Sequence, residues 1–151
     1  MSRIVAIDPG GTCGWAKLDL TSNGKQLFRS GQGDPFEVLA SVEADLRSGN
    51  TSLLVCESFF ISAATLKKSR QYDALYTIGA LNYLSQACGV EFELQAPFER
   101  LFATNDRLKQ LGWRKPTVGG HADDAARHLM VACIRRGIID ATQFLDEEEK
   151  Q

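Results

Sequence analysis

No stretch of this 151-residue sequence approaches the roughly 20 consecutive apolar residues of a membrane-spanning helix, and Met1-Ser2-Arg3 leads into a strand pattern without a leader-like segment. A soluble, cytoplasmic protein with no membrane partner is therefore expected. Cys-x-x-C pairs are missing as well. The four cysteines, Cys13, Cys56, Cys88 and Cys133, are far apart and three lie in apolar segments, which predicts buried reduced thiols and argues against a zinc site. There is no internal repeat, and the one compositionally biased stretch is the acidic end, 146–151. A surplus of positive charge is also lacking: 17 Lys and Arg face 19 Asp and Glu, a net charge of -2. Taken whole, that balance speaks against a phosphate-binding surface.

What is present is enough apolar content, 44% of residues, for one compact domain that buries its own core. The domain is expected over 1–145, with 146–151 a solvated, disordered tail. Removing that tail leaves 16 basic against 15 acidic residues, and between Phe59 and Arg136 there are 11 Lys or Arg against 7 Asp or Glu. The basic half thus follows the first strands.

Periodicity predicts strands over 3–8 (RIVAID), 14–20 (GWAKLDL) and 26–32 (QLFRSGQ), joined by Pro9-Gly10-Gly11-Thr12-Cys13 and Ser22-Asn23-Gly24. Three strands on short turns make an antiparallel meander. Asp34-Pro35 is a helix start, with the carboxylate at N-cap and proline at N1, and Phe36, Leu39, Val42 and Leu46 keep helical spacing until Gly49. Residues 52–57 (SLLVCE) read as a strand covered on both faces, and the preceding helix supplies the crossover that a parallel neighbour requires. A long helix is expected over 69–88, with Tyr72, Leu75, Tyr76, Ile78, Gly79, Leu81, Tyr83 and Leu84 on a wide apolar face. A strand at 90–95, short helical pieces at 98–103 and 105–111, and a final helix over 121–136 complete the pattern. Ala125, Leu129, Ala132 and Cys133 line that last helix.

Three acidic positions stand out against this pattern. Asp8 ends a buried strand just before Pro-Gly-Gly-Thr, where the following backbone carries little side-chain bulk and a ligand has room to approach; an Asp before Pro-Gly is also an ordinary turn residue. Glu57 directly follows Leu-Leu-Val-Cys, a costly place for a carboxylate without a cation or partner, unless it is simply a surface residue at a strand end. His121 and Asp124 share one helix face near its N-terminus; helix capping, by His121 or Asp123, competes with a functional role there. Together, oxygen ligands from distant segments are what a phosphodiesterase uses to hold divalent cations.

The segments I-V-A-I-D-P-G-G-T-C-G-W-A (4–16), V-C-E-S-F-F (55–60), Y-D-A-L-Y-T-I-G-A-L (72–81) and H-A-D-D-A-A (121–126) resemble, in order and spacing, the RuvC family of Holliday-junction resolvases, particularly its short bacteriophage-type members. The resemblance implies an α/β, ribonuclease H-like fold: a mixed five-stranded sheet, antiparallel meander then parallel strands, flanked by helices. It also implies a homodimer with two Mg²⁺ per active site, nicking four-way DNA junctions in a cytoplasm, that of the host for a viral chain. Asp8, Glu57 and Asp124 would be the metal-binding carboxylates. His121 falls where many relatives have a further Asp and some have His, so its role is open between metal ligand and proton transfer, and Mn²⁺ should tolerate an imidazole better than Mg²⁺. If the three acids hold cations, the remaining charge of the domain becomes +4.

In that family the loop after the Glu motif enters the junction. Here it contains Phe60, Lys67, Lys68 and Arg70, an aromatic near cations as base stacking and phosphate contact require, with Phe59 expected in the core. Arg107, Lys109, Arg114 and Lys115 are further candidates for phosphate contact, with Trp113 packing their loop; solvated helix faces are the plainer assignment. Broader cutting of forks and flaps, or branched-DNA binding without chemistry, are the alternatives. The Asp-x-Gly-Gly-Thr turn is also similar to the phosphate-gripping turn of sugar kinases and actin-like ATPases, but a second glycine-rich loop and a second domain are not visible.

Overall fold

In the computed structural model, residues 1–63 and 72–145 are described. Strands β1 (Ser2–Asp8), β2 (Cys13–Leu20) and β3 (Gln26–Gly33) form the meander, and α1 (Pro35–Arg47) leads to β4 (Thr51–Glu57). Helix α2 (Tyr72–Cys88) precedes β5 (Glu91–Gln95); a 3₁₀ turn at Pro97–Phe102, the short α3 (Asn105–Gln110), α4 (His121–Arg135) and a last 3₁₀ turn at Ala141–Phe144 follow. The strands form one sheet ordered β3-β2-β1-β4-β5. β1–β2 and β2–β3 are antiparallel, whereas β1–β4 and β4–β5 are parallel.

Side-chain alternation sorts the apolar residues of β1 and β4 into two cores, because successive residues of a strand point to opposite faces. Val5, Ile7, Leu54 and Cys56 meet Val38, Val42 and Leu46 of α1 and Leu81 of α2. Ile4, Ala6, Leu53 and Val55 meet Ala125, Leu129, Met130, Ala132 and Cys133 of α4 on the other face. Burial of each such Leu or Ile contributes on the order of 2 kcal/mol. Trp113 stacks on Phe28 with ring centroids 4.7 Å apart, which ties the loop before α4 to the edge strand, as expected for this tryptophan.

The start of α1 is as read: Asp34 is the N-cap, its side chain accepting from the backbone N–H of Phe36 at 3.0 Å, and Pro35 opens the helix. Its inner face is as read at Val42 and Leu46, with Leu39 packed against the core, but not at Phe36. Phe36 is 81% exposed, and Val38 is buried in its place. Helix α2 turns Leu81, Ile78 and Leu84 to the core as expected, but it also buries Ala74, Thr77 and Ser85 while Tyr72, Tyr76 and Tyr83 face outward. Small residues let α2 approach its neighbours closely, a demand that hydrophobic spacing alone does not express. The expected helix start at 69 and the tail at 146–151 lie outside the described residues. Cys13, Cys56 and Cys133 are buried free thiols and Cys88 is a half-buried one. Among the described residues, no helix is long and apolar enough to cross a membrane.

Candidate functional site

Asp8 and Glu57 close adjacent parallel strands, so both side chains arrive at the same sheet edge. β1 and β4 are also the strands between which the chain changes direction, running to β2 on one side and continuing through β5 on the other. The carboxyl ends of strands at such a point are where open α/β sheets bind ligands. The start of α4 is pressed onto that edge through Gly14. This residue pairs with Asp8 across the sheet, and a Cβ on it would lie 1.9 Å from the His121 carbonyl oxygen. Only a glycine permits that approach. Helix α4 begins after Gly120, whose φ of 71° places it in the left-handed region, so neither His121 nor Asp123 is the N-cap. Asp123 is instead buried, accepting the Lys115 backbone N–H at 2.8 Å.

The four predicted residues meet there. His121 Nδ1 lies 3.0 Å from Asp8 Oδ2. Glu57 Oε2 accepts from His128 Nε2 at 2.6 Å and from the Arg100 guanidinium. Arg100 Nη1 stands 3.8 Å from Asp124 Oδ2, and Asp124 Oδ1 accepts from Arg127 Nη1 at 2.7 Å. Burial, joined by the nearby negative charges of Glu57 and Asp124, pushes the Asp8 carboxyl up to about 6, even though its contact with His121 works in the opposite direction. Burial acts upward on Glu57 as well, but His128 and Arg100 outweigh it and hold that carboxyl below its ordinary value. Burial disfavours the Arg100 charge, yet Glu57, Asp124 and Asp8 together hold its pKa above the usual guanidinium value.

Arg100, Arg127 and His128 were not singled out by sequence reasoning. His128 was legible in principle, since it follows His121 and Asp124 at helical spacing on one face of α4. Arg100 comes from a 3₁₀ turn after β5, where no periodicity announces a side chain aimed at the sheet edge.

Among the described residues, no group of three His, Cys, Asp or Glu side chains is gathered so as to hold a metal ion. Glu57 and Asp124 are paired with arginines. The donor chemistry nevertheless fits a hard divalent cation, with three carboxylates and one imidazole at one edge. A buried carboxyl pushed up by neighbouring acids is a group that additional positive charge would stabilise.

The nucleic-acid candidates divide. Phe60 is 65% exposed directly beyond Glu57, while Phe59 is half-buried rather than sealed in the core. Lys67, Lys68 and Arg70 lie outside the described residues. Arg107 packs over the Phe102 ring at 4.0 Å, Arg114 pairs with Asp123 at 3.6 Å, and Lys115 Nζ donates to the Ser30 carbonyl at 3.0 Å. Lys109 is exposed. Three of these four cations thus also hold the fold together.

The sheet order, its antiparallel-then-parallel pairing and its helices on both faces make this a ribonuclease H-like α/β fold carrying an acidic edge. More particularly, the chain has the fold of RuvC. The structure of Thermus thermophilus RuvC superposes with a TM-score of 0.65 at 16% identity, covering 89% of this chain and 96% of that one. T. thermophilus RuvC in complex with a Holliday junction substrate gives a TM-score of 0.63 at 15% identity, with the same coverage of both chains. No protein-family model matches the sequence, and no curated protein matches it.

Proposed function

We propose that the chain is a divalent-metal-dependent endonuclease that nicks branched DNA, resolving four-way junctions as a homodimer. The observation that carries this reading is the convergence of Asp8, Glu57 and Asp124, from β1, β4 and α4, on one sheet edge in a fold shared with a junction-bound protein.

In this reading Asp8, Glu57 and Asp124 hold the cations, with Glu57 and Asp124 exchanging Arg100 for them. Two Mg²⁺ bound there would supply an activated water and charge neutralisation for in-line attack at a phosphodiester. An ionised Asp8 accepts from His121 Nδ1–H, which leaves Nε2 as the ring nitrogen not engaged by Asp8. His121 can therefore accept a proton or ligate a metal from Nε2; Mn²⁺ would favour the second use. Arg100, released from the carboxylates, is placed to pair with a phosphate. Phe60 and the basic residues Lys67, Lys68 and Arg70 supply stacking and phosphate contacts, and Lys109 supplies a further phosphate contact.

The pairing of Arg100 with Glu57 and Asp124 favours a second reading, a branched-DNA-binding module without chemistry, because an internal cation already satisfies two of the acids. Incubation of labelled four-way, forked and linear DNA with and without Mg²⁺ separates these readings. Metal-dependent nicks placed symmetrically in the four-way substrate, lost in Asp8→Asn and Asp124→Asn while binding persists, support the resolvase. Equal cutting of forks points to a broader structure-selective nuclease, and binding without nicks at any metal concentration refutes the nuclease.

A further inference from the structure

Two polar side chains near the site are fully buried, Gln95 and His128, the latter on the face of α4 that carries His121 and Asp124. His128 sits among Ala125, Leu129 and Ala132, where an aliphatic residue would be the cheaper choice, because a buried polar group is tolerated only when its hydrogen bonds are made. Those bonds are specific. Gln95 Nε2 donates to Glu93 Oε1 at 3.0 Å and to the His128 carbonyl at 3.2 Å; both are acceptors, which fixes the amide orientation. Gln95 Oε1 therefore faces His128 Nδ1 at 2.7 Å and accepts from it, and because the group facing Nε2 is a carboxylate oxygen, both ring nitrogens donate. The ring is held by this bond with its other nitrogen 2.6 Å from Glu57 Oε2.

We infer that His128, locked by Gln95, is a positioning residue that holds Glu57 by Oε2 and presents Oε1 as its metal-binding oxygen. Among the described residues both of the carboxylate's protein contacts fall on Oε2. Arg100 can leave when a cation arrives, whereas His128, with no solvent access, stays. A carboxylate tethered at one oxygen is already oriented and loses less freedom on binding, the usual effect of an outer partner on a metal ligand.

This inference rests on the metal-dependent reading of the site, and the test separates the two. Mn²⁺ binding is measured by calorimetry on the full chain and on D8N, H128Q and H128N. A glutamine amide reaches the place of the ring Nε2 and keeps the Glu57 contact, whereas an asparagine amide reaches only that of Nδ1. The inference predicts H128Q within about threefold of wild type and H128N weaker by about 10- to 100-fold. Equal affinities in the two variants, at either level, would mean that His128 only fills space, and would overturn it. Unaltered Mn²⁺ binding in D8N would defeat the metal reading itself. Should H128N fail to fold, the wild-type ring spectrum decides: Mg²⁺ addition shifts the His128 Nε2 resonance if His128 holds a ligand, and leaves it unmoved if it does not.

Discussion

Two clusters of charge stand at opposite ends of β1 and are built on opposite principles. At the start of the strand, Arg3 donates to Asp19 at 2.6 Å and pairs with Asp45, Lys17 reaches Asp45 at 2.5 Å, and Arg29 reaches Asp19 at 3.0 Å. Each acid there has two cations, and the hydrogen bond from Arg3 holds the Asp19 carboxyl below its ordinary value against the effect of burial. At the other end Glu57 and Asp124 pair with Arg100 and Arg127, whereas the partner of Asp8 is the His121 ring, and Asp8 is pushed up to about 6. A buried ion cluster serving only the fold pairs its charges, because an unmatched one costs several kcal/mol. The end of β1 that leaves a buried acid short of positive charge is the end with something still to bind.

The largest expected effect of that difference is on chemistry. Asp8→Asn should lower cleavage by about 1000-fold or more, a loss of at least ~4 kcal/mol of transition-state stabilisation, while Asp19→Asn leaves cleavage intact in whatever fraction folds. Chemical denaturation should give the reverse order. Asp19→Asn removes one of the two carboxylates paired with Arg3, and the one paired with Arg29, and should cost about 3 kcal/mol, whereas Asp8→Asn should be neutral or stabilising without metal. Comparable destabilisation by both substitutions would erase the contrast.

Gly14→Ala comes next, because its Cβ must displace the His121 carbonyl. A loss of about 1–3 kcal/mol is expected, measured by thermal unfolding, together with a weakened response to Mg²⁺ as the start of α4 moves from Asp8. Full stability and an unchanged metal response in this variant would show that the helix start tolerates a shift.

The pH dependence sharpens the comparison further. Asp8 binds its proton more tightly folded than unfolded, so its contribution to stability is complete below its ordinary value of 3.8 and is lost as pH rises toward about 6. Asp19, shifted down, behaves oppositely, its contribution being present above the ordinary value and lost in more acid solution. Stability profiles of D8N and D19N should therefore deviate from wild type in opposite directions. Mg²⁺ should stabilise the wild type more as Asp8 ionises, and a Mg²⁺ effect independent of pH between 4 and 7 would count against Asp8 as a ligand.

The smallest effect belongs to the surface. Lys109→Ala should weaken junction binding only a few-fold and reduce the slope of affinity against salt by about one phosphate contact; an unaltered slope removes Lys109 from the interface.

Much of this was legible in the residues. The meander, the Asp34-Pro35 helix start and the arrival of Asp8 and Glu57 at one edge follow from strand alternation, turn chemistry and the parallel pairing that a crossover helix allows. The faces of α1 and α2 were read rightly at Val42, Leu46 and Leu81 but misread at Phe36 and the tyrosines, which satisfy helical spacing while the smaller Val38, Ala74 and Ser85 are the residues buried. Arg100 and Gln95 were invisible because their roles depend on how a 3₁₀ turn and a short edge strand dock against α4, which no local pattern encodes. The role of Gly14 required knowing what lies opposite it.

The most direct test is a crystal of the protein soaked in Mn²⁺ and measured at the manganese absorption edge. Anomalous density within about 2 Å of Asp8 and of at least one oxygen of Glu57 or Asp124, with Arg100 turned away from Glu57, is the predicted result. Arg100 still bridging Glu57 and Asp124, with no anomalous density at that edge at saturating Mn²⁺, would contradict it.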